Sequence, residues 1–152
     1  MLFLLFQIGE NRYALETSNV VEVIPMVFLK KVHNVPNYMA GFFNYRGLVV
    51  PVVDFSYLIK GEASHFYLST RIIILKYSDQ EDKEHYLGLI AEQVTETFNK
   101  PISELIEPDM NYAKSTYLSK IIIERNEIIQ CIQLQDLFSN YNKFNLLMGE
   151  TS

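Results

Sequence analysis

Between Gly41 and Asp54 the chain reads GFFNYRGLVVPVVD, two runs of β-branched and aromatic residues separated by Arg46-Gly47. A two-residue spacer joins strands into a hairpin when it tolerates positive φ, and glycine does so at no steric cost. The segment therefore reads as strand, tight turn, strand, with Gly47 in the left-handed position. Pro51 cannot donate to a ladder, so its strand should be an edge or be bulged there. Asp54 closes the second strand. It is a candidate general base, but the better reading is a cap for one helical turn over Phe55–Ile59, ended by Gly61.

The remaining apolar segments have the same length scale. Leu2–Ile8 is a strand-length run, Gly9-Glu10-Asn11 supplies turn residues, and Tyr13–Leu15 resumes, which makes an opening hairpin. Thr17 or Ser18 could cap a helical turn leading into Val20–Ile24, and Pro25 stops whatever forms there; helix and strand are equally compatible with that stretch. Pro36-Asn37-Tyr38 marks a turn. Arg71–Tyr77 and His85–Ala91 pair around the charged loop Ser78–Glu84. Phe98–Ala113, with Pro101 and Pro108, reads as irregular. Tyr117–Glu124 and Ile128–Leu134 form a last hairpin around Arg125-Asn126-Glu127. Beyond Asp136, Leu137, Phe138 and Tyr141 recur at roughly helical spacing, so the tail at 139–152 is a candidate helix.

The pattern repeats. Val20, Glu22 and Ile24 recur 74 positions on as Val94, Glu96 and Phe98. Arg46-Gly47, Val49-Val50, Val52-Val53 and Leu58 recur 79 positions on as Arg125-Asn126, Ile128-Ile129, Cys131-Ile132 and Leu137. Glycine and asparagine are the residues that best tolerate left-handed backbone, so turn chemistry and flanking apolar residues shift together. Two similar β lobes in tandem are expected.

Composition narrows the function. Of 152 residues, 49% are hydrophobic, enough for a substantial core. The net charge of −5 argues against nucleic acid and against an anionic membrane surface. The opening MLFLLF lacks a basic flank and is broken by Gln7, Glu10 and Arg12, so it reads as a core strand rather than a signal peptide or membrane span. The one cysteine, Cys131, excludes an intrachain disulfide and fits a reducing cytoplasm. It sits between Ile129 and Ile132, where a buried thiol acting as a small hydrophobe is a better reading than a nucleophile served by His33, His65 or His85. The histidines show no metal-ligand spacing, and the six glycines form no phosphate loop. No cofactor is expected. A small β-rich domain without an assembled catalytic site is more often an interaction module.

GFFNYRGLVVPVVDF resembles the signature of the CheW-like family, with Gly41, Asn44, Arg46-Gly47, Pro51 and Asp54 in register. FQIGENRYALETSNVVEVI resembles its opening hairpin and first partner-binding stretch. RIIILKY with YLGLIAEQVTETF resembles its central pair, and YLSKIIIERNEIIQCIQLQDLF its closing hairpin and short helix. The resemblance implies an all-β fold with short helices: two SH3-like five-stranded barrels on a shared apolar core. The expected division of the single domain 1–152 places the first lobe at about 17–70 and the second at 1–16 plus 71–138, with a tail at 139–152. It further implies a non-enzymatic cytoplasmic adaptor, a monomer when isolated, recruited to receptor arrays. Its partners would be the helical-hairpin tip of a chemoreceptor and the regulatory domain of a CheA-type histidine kinase, itself CheW-like. Carried over by motif, partner binding would involve Val20, Glu22 and Val23, Arg46 of the turn, and Leu87, Gly88 and Leu89 of the facing lobe. For Val20 and Val23 plain core packing is an equal alternative, and for Gly47 and Gly88 backbone geometry is the preferred one.

The chain departs from the family pattern in its second half. Ala91-Glu92 stand where Val-Asp is common, Lys120 replaces a glycine, and Gln133 replaces an aspartate. These positions put second-lobe contacts, rather than the fold, in question. The same adaptor in a pathway controlling type IV pili or second-messenger synthesis is the nearest alternative, and a small cysteine-dependent enzyme the more distant one.

Overall fold

The computed structural model describes residues 1–79, 81–108, 118, 120–134 and 137. Among them run ten strands: β1 (Leu2–Ile8), β2 (Asn11–Glu16), β3 (Val20–Pro25), β4 (Met39–Tyr45), β5 (Leu48–Asp54), β6 (Arg71–Ser78), β7 (Glu84–Ala91), β8 (Gln93–Asn99), β9 (Lys120–Glu124) and β10 (Glu127–Ile132). A short helix, α1 (Phe55–Lys60), follows β5, and 3₁₀ turns occupy Thr17–Asn19 and Ile102–Glu104. The candidate tail helix at 139–152 lies outside the described residues.

The strands form two five-stranded sheets, ordered β3-β6-β7-β5-β4 and β8-β1-β2-β10-β9. The orders superpose term by term. In each, an outer strand pairs antiparallel with a central hairpin, whose second strand pairs parallel with the closing hairpin: Val52↔Gly88 in one lobe, Cys131↔Ala14 in the other. The sequence repeat is thus structural. The tight turns share left-handed backbone, with φ of 50° and 86° at Arg46 and Gly47 and 50° and 64° at Arg125 and Asn126. Positive φ at both central residues is the turn whose twist matches paired strands.

The pairing corrects the expected lobe boundary at residue 70. β6 and β7 bond to β3 and β5, so the first lobe runs to Ala91, and the second is built from β1, β2, β8, β9 and β10. Each lobe needs a central apolar hairpin. The first takes it from residues 71–91, and the second takes it from the start of the chain.

Both faces of these central strands are buried, which explains why their sequences are continuous apolar runs rather than alternating ones. Ile72, Ile74 and Ile90 fill the interior of the first lobe with Val50, Val52 and Tyr45; Phe3, Leu5, Ala14, Ile122, Ile129 and Cys131 fill that of the second. The opposite faces meet in one shared seam. Leu4, Phe6, Ile8, Tyr13 and Leu15 pack there with Ile73, Leu75, Leu87, Leu89 and Phe55. Phe55 crosses the seam edge-on to both Phe6 (5.6 Å) and Tyr13 (5.2 Å).

Several local expectations resolve. Val20–Ile24 is strand, since its backbone bonds to β6. Thr17 and Ser18 form the 3₁₀ turn rather than capping it; the residue at the cap position is Glu16, with no side-chain capping bond. The irregular stretch begins after Asn99 rather than at Phe98, because β8 stays paired with β1 to that point. Asp54 does cap α1, accepting from the Ser56 and Tyr57 amides, and Gly61 ends the helix in left-handed backbone. β5 is interior to its sheet, but it pairs with β7 only from Val52 onward, so Pro51 falls where one flank of the strand is unpaired.

The connection from α1 to β6 is tied down by two buried acids. Asp54 also accepts from the Ser64 amide (2.9 Å) and hydroxyl (2.6 Å). Glu92 accepts from the Gly9 amide (2.6 Å), in the β1–β2 turn, and from the His65 amide (2.7 Å). Its two oxygens therefore bridge the lobes. The departure at Ala91-Glu92 is accommodated: Ala91 is buried in the seam and Glu92 spans it. Glu92→Gln keeps the shape but sets an NH₂ against one of two backbone donors. It should destabilise the fold by ~1–3 kcal/mol, read as a lower midpoint in urea unfolding.

Candidate partner-binding site

A bulge in β3 sets up the one constellation of motif residues that converges. Val20 pairs with Leu75, Glu22 with Ile74 and Val23 with Ile73, so Val21 is the extra residue. Strict alternation would put Val20 and Val23 on opposite faces; one inserted residue puts both on the seam face and turns Glu22 to the other. Val20 and Val23 are accordingly half-buried against the shared cluster, and Val21 is exposed. Val94, the counterpart of Val20, packs on the same cluster beside an equivalent bulge.

Glu22 meets the β4–β5 turn. Nη2 of Arg46 donates to both carboxylate oxygens, at 2.9 and 3.2 Å, and the Tyr45 hydroxyl donates to Oε1 at 3.1 Å. The guanidinium carbon lies 5.1 Å from the centroid of the Tyr45 ring. Burial first, and then the bond to Glu22, raise the Tyr45 phenol above its ordinary range. The turn itself is locked by the Asn44 side chain, whose Oδ1 accepts from the Gly47 amide at 2.9 Å. The Arg46 side chain remains 73% exposed. A cation is thus presented to solvent in a fixed orientation, held by a carboxylate and an aromatic face. Tyr45 is not among the motif-derived residues; its place before the Arg-Gly turn is the signal that could have found it.

The second lobe is wired differently. Its counterpart of Glu22 is Glu96, which pairs with Arg12 of β2 (3.3 Å), and Arg12 also holds Glu127 (2.9 Å). Glu124, at the position of Tyr45, pairs with Lys100 at 2.7 Å. The departures at Lys120 and Gln133 sit quietly here: Lys120 faces Glu107 at 3.6 Å, and the Gln133 carbonyl accepts from the Leu137 amide.

Leu87, Gly88 and Leu89 are not at a surface. All three lie in β7, in the first lobe's own sheet rather than a facing lobe, and the two leucines are seam core. Gly88 packs between Ile72 and Val52; a Cβ there would meet their methyl groups at 2.9 and 3.0 Å. Its counterpart in the second lobe is the small residue Ala14. Gly88→Val should therefore overpack the core and cost ~1–3 kcal/mol, seen as a lowered melting temperature.

The pattern that defines the CheW-like domain matches residues 2–142. The chain belongs to the CheW-like family. This CheW-like chain is 26% identical over 115 residues to the chemotaxis protein CheW of Helicobacter pylori, spanning 72% of this chain and 67% of that one. It is 25% identical over 131 residues to CheW of Bacillus subtilis, across 85% and 81%. It is 27% identical over 109 residues to the protein FrzA of Myxococcus xanthus, across 71% and 64%. Among solved structures, the scaffolding protein TtCheW of Thermoanaerobacter tengcongensis shares the fold, with a TM-score of 0.77 and 23% identity over 88% of this chain and 84% of that one. The two five-stranded sheets are thus the two SH3-like lobes of the CheW-like fold.

Among the described residues of this CheW-like chain, no three His, Cys, Asp or Glu side chains gather as metal ligands. No described helix is long and apolar enough to cross a membrane. Burial pushes the Cys131 thiol up to about 12. At pH 8 roughly one thiol in ten thousand is then ionised, and the thiolate is the reactive form. Iodoacetamide should leave native Cys131 unmodified over hours and label it in denaturant, as read by intact mass.

Proposed function

We propose that this chain is a non-enzymatic adaptor of bacterial chemosensory signalling, coupling the helical-hairpin tip of a chemoreceptor to the regulatory domain of a CheA-type histidine kinase. It acts in the cytoplasm, recruited to receptor arrays, without cofactor, nucleic acid or membrane insertion, and is a monomer when isolated. Membership of a scaffold family supports the general role. The observation that carries the finer one is Arg46, exposed at a hairpin tip yet oriented by Glu22 and Tyr45. An arginine whose side chain is already ordered loses less freedom on binding, and its planar fork suits the carboxylates and carbonyls of a helical partner. Val20 and Val23, half-buried at the seam margin beside Glu22, supply apolar contact next to that charge.

The likeness to FrzA, a relative not named as a chemotaxis protein, supports a second reading: the same adaptor in a pathway with a non-flagellar output. Binding to the receptor tip and the kinase domain encoded alongside this chain separates the two.

Arg46→Ala should leave the fold intact, since the side chain is exposed, and weaken receptor binding. Truncation of an interface arginine costs ~2–4 kcal/mol, or roughly 30- to 1,000-fold. Titration of the cognate receptor tip by calorimetry, with circular dichroism as the folding control, reads the change. A folded variant that binds and activates kinase like wild type would remove Arg46 from the site.

A further inference from the structure

We infer that the groove between the β3–β4 connection and α1 is a separate docking surface, and that it takes an amphipathic segment of a partner protein whose apolar ridge is flanked by carboxylates. The groove encloses about 710 Å³, with Phe28 and Val32 on one wall, Tyr57 and Phe66 on the other, and Met39 in its floor. Its rim is more apolar than a solvated loop requires. Phe28 is 91% exposed and Phe66 62%, and Leu68, two residues past Phe66, is fully exposed. A cluster of this kind on a soluble protein marks an interaction site.

The loop that carries Phe66 and Leu68 is not free to fold these side chains away. Asp54 holds Ser64, and Glu92 holds the His65 amide. The Thr70 hydroxyl accepts from the Tyr67 amide at 2.8 Å, the Tyr67 carbonyl accepts from the Thr70 amide at 3.1 Å, and the Leu68 carbonyl accepts from Arg71 at 2.8 Å. The aromatic display is therefore built in advance, which lowers the ordering cost of binding.

Charge selects the occupant. The chain carries −5 overall, yet from Val23 to Val53 it contains no acidic residue, while Lys31 lines the groove and its chain neighbours Lys30 and His33 are exposed. Of the nearby acids, Asp54 is buried and engaged by Ser56, Tyr57 and Ser64, and Glu62 is exposed on the loop after α1. An apolar trough with a local cationic rim on an anionic protein complements an acidic amphipathic segment, whose apolar face enters the groove through anchors at helical spacing. A membrane fits less well, because the site is concave and the whole molecule is anionic. The groove opens at the Met39 and Asp54 end of the β4–β5 hairpin and Arg46 sits at its turn, roughly 20 Å away for six residues of strand. The two surfaces can be occupied independently.

The test uses the full chain and a phage-displayed library of random 16-residue peptides, selected on wild type and counter-selected on Phe28→Ser. The enriched peptides are then synthesised and titrated by fluorescence anisotropy. The expected result is a set of apolar, Asp- and Glu-rich peptides whose affinity falls at least tenfold with Phe28→Ser and with Lys31→Glu. Ile128→Ser, exposed on β10 of the second lobe, should leave it unchanged. Both test side chains are exposed, and thermal melts confirm that the variants fold. The inference is overturned if no enriched peptide depends on Phe28 and Lys31, or if the enriched peptides are basic. It is equally overturned if the patch instead drives Phe28-dependent binding to phosphatidylglycerol vesicles, or Phe28-dependent dimerisation in sedimentation.

Discussion

The seam between the lobes is the contact on which the other features depend. A five-stranded lobe of this size has one interior face to fill, and its own hairpins do that with Ile72, Ile74 and Ile90, or with Phe3, Leu5 and Ile129. The other face of each central strand would then stand in water as a continuous aliphatic surface. Packing the two lobes back to back removes both faces at once, with Phe55 of one lobe set against Phe6 and Tyr13 of the other. Each large side chain buried this way contributes ~1.5–3 kcal/mol, and the aromatic pairs add ~0.5–1.5 kcal/mol each. Neither lobe has a reason to be stable with that face exposed. The connectivity reinforces the dependence, because the second lobe's central hairpin is the start of the chain and all of the first lobe lies between it and β8.

Among the described residues, a polar contact bridges the lobes where the chain passes from one to the other. Glu92 lies just after β7, where the chain passes from the first lobe to the second, and accepts from a turn of one lobe and a loop of the other. A buried acid of this kind contributes mainly by satisfying backbone donors that water no longer reaches. The consequence reaches the surface, because the loop from Ser64 to Thr70 keeps its shape and with it the exposed Phe66 and Leu68.

The lobes share topology, turn geometry and even the β3 and β8 bulges, yet their outward chemistry differs. In the first, Glu22 is engaged by the turn residues themselves, leaving Arg46 presented at the tip. In the second, Arg12 from a neighbouring strand takes Glu96, and Lys100 takes Glu124. Duplicated backbone geometry therefore leaves the first lobe with an exposed turn arginine oriented by Glu22, whereas in the second lobe Glu96 and Glu124 are held by Arg12 and Lys100 while Arg125, the counterpart of Arg46, is exposed at the turn. These surface ion pairs contribute little to stability; their effect is on which charges a partner meets.

Short-range physics was legible in the sequence. The Arg46-Gly47 and Arg125-Asn126 turns, the Asp54 cap, the strand-length apolar runs and the two-lobe repeat all follow from the φ each residue tolerates and from local hydrophobic patterning. Arg46 and Glu22 could be nominated from the motif, and they do meet. Partnership between distant segments was not legible. Apolar runs at Arg71–Tyr77 and His85–Ala91 say that strands exist but not which sheet claims them, because a strand buried on both faces carries no alternation to show which neighbour it faces. That ambiguity misplaced the lobe boundary at residue 70 and assigned Leu87 and Leu89 to a contact surface, where packing makes them core. The bulge at Val21, the bridging role of Glu92 and the groove beneath Phe28 were likewise decided only by tertiary structure, since each depends on residues far apart in the chain meeting at distances that no local pattern encodes.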